Sequence, residues 1–319
     1  MRALQFSRTG SLEALSLVEL PQPLVAEGEV LIRVEAAGLN PSDVKNVFGR
    51  FPYTTLPRVP GRDFAGVVVE GPAHLLGQAV WGTGRGPGFL RDGSHATYMT
   101  LPAEGVALKP QALSFAQAAS LGVPYTTAWD ALERCDVQAG TRLLVIGANG
   151  AVGQAAMALA RARGAEAVGA VRRAEQVERL AGLGHRALLL AQPEQLGGQV
   201  QEVFEGGAEV IFDTTGFWLP AATSALADFG RIAIIAAPVD GHVQLPALAL
   251  YRKGGSIVGV NSLLYDTRAC ARMLEHFGHL FDEGRLPLPQ DVLEAPLADA
   301  LSHYHAVHEG SSAKIVLIP

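Results

Sequence analysis

A short glycine-containing turn is the stretch of this sequence with the clearest means of binding a ligand. Residues 143–146 are continuously apolar, residues 147–153 read Gly-Ala-Asn-Gly-Ala-Val-Gly, and an alanine-rich run continues to Arg161. Such a pattern is typical of a buried parallel strand that enters a helix through a tight turn. Because the turn carries little side-chain bulk, the N–H groups at the helix start can approach a pyrophosphate.

The glycines depart at one position from the strict dinucleotide fingerprint, Gly-x-Gly-x-x-Gly. Ala148 stands in place of the first glycine, while Gly150 and Gly153 occupy the other two places. A strand, turn and helix that bind nothing are therefore the alternative interpretation. The candidate cofactor-binding residues of the turn are Ala148, Asn149, Gly150, Ala151, Val152 and Gly153.

Two arginines follow the second strand of the same pattern. In a dinucleotide-binding fold, the residue that meets the adenosine ribose lies roughly 20 residues beyond the last glycine of the turn. Arg172 and Arg173 stand there, and no carboxylate does. A guanidinium suits the 2′-phosphate of NADP, whereas an aspartate or glutamate would accept from the 2′-hydroxyl of NAD. The spacing favours NADPH, with two solvated arginines at a strand end as the alternative.

The composition is that of an acidic globular protein. The chain has 319 residues, of which 49% are hydrophobic and 18% charged, and its formal net charge is −6. This length predicts two domains, and the charge argues against a nucleic-acid-binding surface. No apolar run approaches the roughly 18 residues of a membrane-spanning helix, and the N-terminus lacks the apolar core of a signal peptide. We expect a cytoplasmic protein without nucleic-acid or membrane partners.

The first third of the chain favours short strands. Alternating or apolar runs lie between glycine- and proline-containing turns at 15–20, 30–36, 64–70, 80–81 and 96–99. This spacing predicts a closed or nearly closed β-barrel. The glycine- and proline-rich stretch 82–93 is a flexible lid or a plain surface loop.

The middle of the chain alternates strands with helices. After helices near Ser114 and over 126–135, the pattern predicts strands at 142–147, 166–171, 187–190, 209–213, 230–236 and 256–260, and helices at 152–163, 174–182, 194–204 and 218–227. Apolar strands joined by helices predict a doubly wound parallel sheet with helices on both faces. The tail predicts helices over 266–283 and 297–309, a proline-rich segment between them, and a last strand over 314–318. We expect this tail to complete the N-terminal domain.

Six short motifs along the chain point to one family. They are Gly-Glu-Val-Leu-Ile-Arg-Val at 28–34, Ala-Ala-Gly-Leu-Asn-Pro-Ser-Asp at 36–43, Pro-Gly-Arg-Asp-Phe-Ala-Gly-Val-Val at 60–68, the turn at 148–153, Phe-Asp-Thr-Thr-Gly at 212–216 and Ala-Lys-Ile-Val-Leu at 313–317. Together they resemble the medium-chain dehydrogenase/reductases, specifically the zinc-free quinone oxidoreductase branch that includes zeta-crystallin. Alanine at position 148 is itself typical of this branch.

The resemblance implies a two-domain α/β fold. A GroES-like β-barrel catalytic domain would comprise residues 1–121, completed by 260–319, and a Rossmann domain with a doubly wound parallel sheet would comprise 122–259. The cofactor would lie in the cleft between them. Subunits of the family often pair through the edges of their Rossmann sheets, which implies a homodimer.

The resemblance also implies that the enzyme works without zinc. Zinc-dependent relatives have cysteine, histidine and cysteine ligands where this chain has Asn40, Arg62 and Val123. None of these side chains supplies a thiolate or imidazole ligand, and the only two cysteines, Cys135 and Cys270, cannot form a four-thiolate structural site. Without a Lewis acid, the expected acceptors are quinones and conjugated enones, over which negative charge spreads during hydride transfer.

Four further residues receive roles from the resemblance. Asn40 is implied beside the nicotinamide, where its amide donates to a substrate carbonyl; the alternative is a turn asparagine before Pro41. Tyr53 is implied to stack on a flat acceptor; the alternative is that its ring only packs against other side chains of the protein. Thr127 is implied near the nicotinamide and its ribose; the alternative is an ordinary helix residue without a role in binding. The backbone at Asn261 is implied to contact the carboxamide.

Two other positions bear on these roles. We expect Arg62 to form an internal ion pair with Asp43 or Asp63. Many relatives have a lysine in the helix after the second strand, to meet the 2′-phosphate, where this chain has Gln176. Phosphate recognition would then depend on the two arginines at 172 and 173.

The sequence therefore predicts an NADPH-dependent, zinc-independent reductase that transfers hydride to a quinone. Two alternatives stay open: NADPH-dependent reduction of an alkenal or enone double bond, and a protein that binds NADPH without turnover. We expect a small-molecule quinone or enone as the substrate.

Overall fold

In the computed structural model, which describes residues 1–319, the polypeptide forms fifteen strands and ten helices. The strands are β1 (Arg2–Phe6), β2 (Leu15–Glu19), β3 (Glu29–Gly38), β4 (Asp63–Glu70), β5 (Ala79–Gly82), β6 (Tyr98–Pro102), β7 (Ala107–Leu108), β8 (Arg142–Ile146), β9 (Glu166–Val171), β10 (Arg186–Leu189), β11 (Ala208–Asp213), β12 (Leu226–Ile234), β13 (Ser256–Gly259), β14 (Val292–Pro296) and β15 (Lys314–Ile318). The helices are α1 (Pro41–Val47), α2 (Phe115–Ala119), α3 (Gly122–Arg134), α4 (Ala151–Ala162), α5 (Ala174–Gly182), α6 (Leu196–Val203), α7 (Leu219–Ala225), α8 (Ala247–Arg252), α9 (Thr267–Asp282) and α10 (Ala300–His308).

These elements divide between two units. The first unit comprises Met1–Thr126 with Ser262–Pro319, and the second comprises Thr127–Asn261. None of the ten helices combines the length and the apolar character that crossing a bilayer requires.

A six-stranded parallel sheet forms the centre of the second unit. Its strand order is β10-β9-β8-β11-β12-β13, and every neighbouring pair is parallel. The order changes direction between β8 and β11, as in the doubly wound dinucleotide-binding fold, where ligands bind at the carboxyl ends of the strands beside this point. The structure therefore confirms the predicted Rossmann-like architecture.

The sheet of the second unit is buried because helices pack against it. α4 contacts β8 and β9, and α7 contacts β11 and β12. Leu144 and Ile146 of β8 have no exposed surface, and they join an apolar cluster with Val168, Ile211 and Ile232 of the neighbouring strands. Strands buried in this way consist of continuous apolar residues, which is why their positions are readable in the sequence.

The sheet of the first unit bends around β3. Its strand order is β14-β15-β3-β4-β5-β7, and β6 also pairs with β3. β3 pairs antiparallel with β4, and with β6 and β15 through different residues. The register between β3 and β4 shifts twice, and such irregularities bend strands. This sheet corresponds to the predicted GroES-like domain, with the chain end at β15 as part of it.

The sequence pattern misses α1, β1 and β14. Asn40 is the N-cap of α1 and Pro41 is its first residue, which is a common helix start and not only a turn signal. β14 ends at Pro296 and pairs only with β15, and proline is tolerated in such edge strands. β1 pairs only with β2. Short elements at edges carry too little periodicity to be recognised.

Candidate active site and cofactor-binding turn

The turn after β8 has the backbone geometry that a pyrophosphate needs. Gly147 has a φ of +80°, which glycine adopts without strain, and Gly150 is the N-cap of α4. A Cβ atom at Gly153 would stand 2.3 Å from the carbonyl oxygen of Gly147, so only glycine fits there. No side chain caps α4, which leaves the N–H groups of its first turn available to an anion. The turn therefore fits a dinucleotide pyrophosphate.

The end of β11 supports this turn from the neighbouring strand. Thr214 Oγ1 donates to the carbonyl oxygen of Ile146 at 2.8 Å, in space that a side chain at Gly147 would fill. Asp213 accepts from the backbone N–H groups of Thr215 at 2.8 Å and of Trp218 at 2.9 Å. The motif at 212–216 thus holds the shape of the two loops on either side of the point where the strand order changes direction.

The predicted residues of the turn differ in exposure. Ala148 and Gly153 are buried, whereas the stretch 149–152 between them is half-buried. The half-buried stretch is the one whose backbone would meet a ligand, while the two buried small residues allow α4 to approach β8 closely.

Arg172 and Arg173 lie at the end of β9, as the spacing predicts, and both are exposed. Arg173 is the N-cap of α5, and its Nε lies 3.1 Å from a carboxylate oxygen of Glu175. Both side chains of this ion pair are about two-thirds exposed (64% and 66%), and pairs exposed to this degree contribute little stability. The ion pair leaves Arg173 free to exchange Glu175 for a stronger anion.

Gln176 connects Arg173 with the glycine turn. In the amide orientation that satisfies its neighbours, its oxygen accepts from Arg173 Nε at 3.2 Å, from Arg173 Nη2 at 2.9 Å and from Asn149 Nδ2 at 3.0 Å. The structure therefore brings Arg173 and Asn149 together through one side chain. Sequence reasoning finds no role for Gln176, because nothing in its position on α5 shows which residues its amide reaches.

In the first unit, Asn40 is fixed by two carboxylates. Asn40 is buried, its Nδ2 donates to Asp63 Oδ2 at 3.0 Å, and its backbone N–H donates to Asp43 Oδ2 at 2.9 Å. Asp63 also accepts from the backbone N–H of Val123, at 3.0 and 2.9 Å, near the start of α3. The side chain and the backbone of Asn40 thus both donate to buried carboxylates, which fixes the orientation of its amide.

Burial dominates the ionisation of both carboxylates. Burial raises the pKa of Asp43 to about 7, against the hydrogen bond from Asn40 and with a smaller contribution from the charge of Asp63. Burial also raises the pKa of Asp63, although Thr83, Val123, Arg62 and Asn40 act in the opposite direction. The first unit therefore holds two acidic groups that retain protons more strongly than carboxylates in water.

The predicted ion pair of Arg62 with Asp43 or Asp63 is wrong. Arg62 is almost completely buried, with 1% exposure, yet no carboxylate comes within 4.0 Å of its guanidinium. Each carboxylate is already turned toward a backbone N–H donor, that of Asn40 for Asp43 and that of Val123 for Asp63. These donors satisfy the carboxylates locally, so the guanidinium points elsewhere.

Arg62 instead contacts neutral groups. Its Nε donates to the carbonyl oxygen of Gly84 at 3.3 Å and its Nη2 to Ser262 Oγ at 3.5 Å. Its guanidinium carbon lies 6.0 Å from the centre of the Phe89 ring. Both hydrogen bonds are long, so the positive charge is only weakly compensated.

The structure places the other predicted residues in different surroundings. Tyr53 is 42% exposed, and its ring packs against Phe51 and Phe89. Thr127 is buried within α3, and Asn261 is exposed two residues after β13.

The sequence pattern does not predict the buried position of His95. His95 Nδ1 accepts from the hydroxyl of Tyr304 at 2.8 Å, and its Nε2 donates to the carbonyl oxygen of Gly38 at 3.2 Å. Burial lowers its pKa to about 4. Both ring nitrogens have partners, so His95 is a neutral residue that joins α10 to the sheet.

The amide and guanidinium at positions 40 and 62 are hydrogen-bond donors and carry no thiolate or imidazole. No group of three histidine, cysteine, aspartate or glutamate side chains in the structure could hold a metal ion.

Comparisons with known proteins agree with this architecture. The model of the alcohol dehydrogenase GroES-like domain matches residues 26–111, and that of zinc-binding dehydrogenases matches residues 151–277. A zinc-type alcohol dehydrogenase-like protein of Schizosaccharomyces pombe is 33% identical, over 99% of this chain and 96% of its own length. A chloroplastic NADPH-dependent alkenal/one oxidoreductase of Arabidopsis thaliana is 32% identical, over 75% of this chain and 63% of its own length. The crystal structure of an NAD-dependent alcohol dehydrogenase has a TM-score of 0.89 at 28% identity, with 100% of both chains covered.

The two units and the glycine turn thus define a nicotinamide-dependent oxidoreductase. The chain belongs to the medium-chain dehydrogenase/reductase family.

Proposed function

We propose that this protein is an NADPH-dependent, zinc-independent reductase that transfers hydride to a conjugated carbonyl acceptor, a quinone in the first place. The observation that carries the proposal is the hydrogen-bonded connection from Asn149 through Gln176 to Arg173. It supports NADPH because it holds a guanidinium beside the turn whose backbone fits the pyrophosphate. No carboxylate follows β9 directly to accept from a ribose 2′-hydroxyl.

The ion pair between Arg173 and Glu175 is compatible with this cofactor. A phosphate carries more charge than a carboxylate and offers three acceptor oxygens, so it competes well for the guanidinium. Arg172 makes no ion pair of its own and is exposed at the same strand end. We assign both arginines to the 2′-phosphate, and residues 148–153 to the pyrophosphate.

We assign the acceptor carbonyl to Asn40. Bound NADPH supplies the hydride. The hydrogen bond to Asp63 sets the direction of the Asn40 amide, and the second hydrogen on Nδ2 donates to the carbonyl oxygen, where negative charge develops. A proton from water completes the two-electron reduction, which converts a quinone to a hydroquinone or an enone to a saturated ketone.

Zinc independence is supported by the chemistry of the side chains. A guanidinium cannot donate an electron pair to a metal, and the neutral amide oxygen at position 40 is a poorer zinc ligand than a thiolate or an imidazole. A neutral amide donor stabilises an oxyanion less than a metal cation does, so the acceptor must delocalise its own charge. This argument favours quinones and enones over simple ketones.

Enones are the second candidate class of acceptor. The observation that favours them is the 32% identity with an NADPH-dependent alkenal/one oxidoreductase, although this chain spans 63% of that relative's length. We keep Tyr53, Thr127 and Asn261 as proposed site residues, with Tyr53 next to the flat acceptor and the other two next to the nicotinamide.

Oxidation of NADPH by a panel of acceptors tests the proposal. We expect turnover with 1,4-naphthoquinone or with 4-phenylbut-3-en-2-one, no turnover with cyclohexanone, and rates unchanged after treatment with a chelator. Turnover of cyclohexanone, or loss of activity that added zinc restores, would contradict the proposed chemistry. Tight binding of NADPH with no oxidation by any conjugated acceptor would mean that the protein binds the cofactor without turnover.

A further inference from the structure

Arg62 is a buried cation without a carboxylate partner. Two of its five N–H groups donate to neutral oxygens, and the others have no protein acceptor. Burying a charge is costly unless an opposite charge or several hydrogen bonds compensate it. The position of Arg62 is therefore unfavourable for the protein alone, and an anion beside it would supply what the protein does not.

A second arginine lies near the same place. Arg85 is exposed, its side chain has no ion pair, and its backbone N–H donates to the carbonyl oxygen of Tyr265 at 2.9 Å. Burial raises the pKa of the Tyr53 hydroxyl, and the charges of Arg62 and Arg85 both oppose this effect. Both guanidinium groups are thus within electrostatic range of one tyrosine hydroxyl.

Three aromatic rings accompany the two arginines. The centres of Phe51 and Phe89 lie 5.9 and 5.8 Å from that of Tyr53, and 5.2 Å from each other. Phe89 is fully buried, whereas Tyr53 keeps 42% of its surface exposed. Phe51, Tyr53, Arg62, Arg85 and Phe89 together form what we call the guanidinium–aromatic cluster.

The surroundings of the cluster preserve its positive charge. Asp43 and Asp63 are the carboxylates that interact electrostatically with Arg62, and both are turned toward backbone N–H donors. The whole chain carries a formal charge of −6, so two arginines without ion pairs beside one tyrosine are a local exception. An anion with an apolar planar part would find a guanidinium for its charge and the Tyr53 ring for its plane.

We propose that the guanidinium–aromatic cluster binds a carboxylate, or an equivalent anionic group, attached to a planar conjugated acceptor. The inference depends on the proposed function for the reaction, and it adds to it the class of substrate: acidic conjugated carbonyl compounds. Arg62 holds the anion, Arg85 attracts it from solvent, and Tyr53 packs against the conjugated plane.

Binding of two matched probes tests the inference without turnover. 3-Benzoylpropionate and its methyl ester differ by one charge and lack the alkene that a conjugated acceptor offers for reduction. We expect calorimetric titration of the NADP-saturated protein to show the carboxylate binding at least about tenfold more tightly than the ester, as one charge-assisted hydrogen bond predicts. Equal affinities, tighter binding of the ester, or no binding of either probe would overturn the inference.

Variants locate the anion. Arg62→Met and Arg85→Met should each reduce the preference for the carboxylate and leave the affinity for the ester within about threefold of the wild-type value. Arg62→Lys should keep part of the preference for the carboxylate. Arg8→Met is the control, because Arg8 is an exposed arginine of the same unit and its replacement makes the same change in net charge. If Arg62→Met does not fold, the surface variant Arg85→Met decides, and an unchanged preference in it would contradict the cluster.

Turnover separates this inference from the proposed function. trans-3-Benzoylacrylate and its methyl ester are the reducible counterparts of the two probes. Oxidation of NADPH by the ester at least as efficiently as by the carboxylate supports the reductase and contradicts the anion site. Selective binding of the carboxylate with no oxidation of NADPH by any acceptor supports the anion site and contradicts the reductase.

Discussion

Two amide side chains, Asn40 and Gln176, link the candidate site residues to their surroundings. Each is held by partners that the sequence does not reveal. Asp63 lies 23 residues from Asn40 in the chain, and Gln176 reaches Asn149 in a different loop. The family resemblance proposes Asn40 for the carbonyl, but only the structure shows that Asp63 sets the direction of its amide. Residue types and spacing therefore identify candidates, while orientation depends on contacts distant in the chain.

Asn40→Ala should lower kcat/KM for a conjugated acceptor by about 100-fold, the typical cost of removing one oxyanion donor. The affinity for NADPH should change little, because the residues that we assign to the phosphates of NADPH belong to the second unit. Asn46→Ala is the matched control: Asn46 is a buried asparagine of the same helix, which donates to Gly88 O at 2.7 Å and accepts from Thr54 at 2.6 Å. Similar losses of activity in both variants would indicate that Asn40 is only structural.

Gln176→Leu should weaken binding of NADPH by about five- to tenfold, since Arg173 loses the group that directs it. Binding of NADH should be almost unchanged.

Replacing Arg172 and Arg173 together should weaken the binding free energy of NADPH by about 1–3 kcal/mol more than that of NADH. Fluorescence titration with both nucleotides measures these differences.

The control for this prediction is Gln154→Leu. Gln154 donates to the carbonyl oxygen of Asn149 at 2.8 Å and does not contact either arginine. It should affect both nucleotides alike. Equal losses of NADPH and NADH in Gln176→Leu would show that the bridge serves the turn and not the 2′-phosphate.

At the scale of elements, the parts predicted best are those whose burial is uniform. β8, β9 and β11 each have an apolar central run between helices, so their type and order follow from the pattern of the sequence. α1 and β14 are missed because a capping asparagine with proline can begin a helix as well as a turn, and because an edge strand tolerates proline. The ends of elements depend on contacts: α3 begins at Gly122 and not near position 126, where the apolar pattern becomes clear, and Asp63 accepts from its first turn.

Asp43 in α1 and His95 next to α10 link stability to pH with opposite signs. His95 has a pKa of about 4 in the folded protein, so the unfolded chain binds more protons between about pH 4 and 6.5. Its contribution to stability is lost as the pH falls through that range. Asp43 has a pKa of about 7 in the folded protein, so the folded state binds more protons between about pH 4 and 7. Its contribution decreases as the pH rises through that range.

Asp43→Asn should therefore become more stable relative to the wild type as the pH rises from about 4 to 7. The expected change in the difference between their free energies of unfolding is roughly 1.4 kcal/mol per pH unit. The amide oxygen of asparagine can still accept from the backbone N–H of Asn40, so the hydrogen bond is preserved. Urea unfolding at several pH values measures the difference. A constant difference across this range would mean that Asp43 titrates in the folded state as it does in the unfolded chain.

At the scale of the whole molecule, the oligomeric state is the property that is hardest to predict from the residues alone. The family resemblance predicts a homodimer that pairs through the edges of the Rossmann sheets. In the second unit, β13 is an edge strand, and large apolar side chains are exposed on its neighbours: Phe229 of β12 at 83%, and Tyr251 of α8 at 70%. Phe229 donates its backbone N–H to Lys253 O at 2.6 Å, close to the end of α8. Apolar groups exposed beside an open sheet edge are typical of an interface.

We therefore expect the protein to sediment at twice its chain mass of 33.5 kDa. Replacing Phe229 and Tyr251 together by serine should shift it toward the monomer, because apolar surface buried in the dimer is lost. Leu24→Ser is the control, since Leu24 is 93% exposed and belongs to the first unit. Analytical ultracentrifugation over a range of concentrations measures the equilibrium. Two outcomes would contradict pairing through β13. One is a monomeric wild type, and the other is a dimer that Leu24→Ser weakens as much as the double variant does. In either case, we would expect Arg172 and Arg173 to bind NADPH in a single chain.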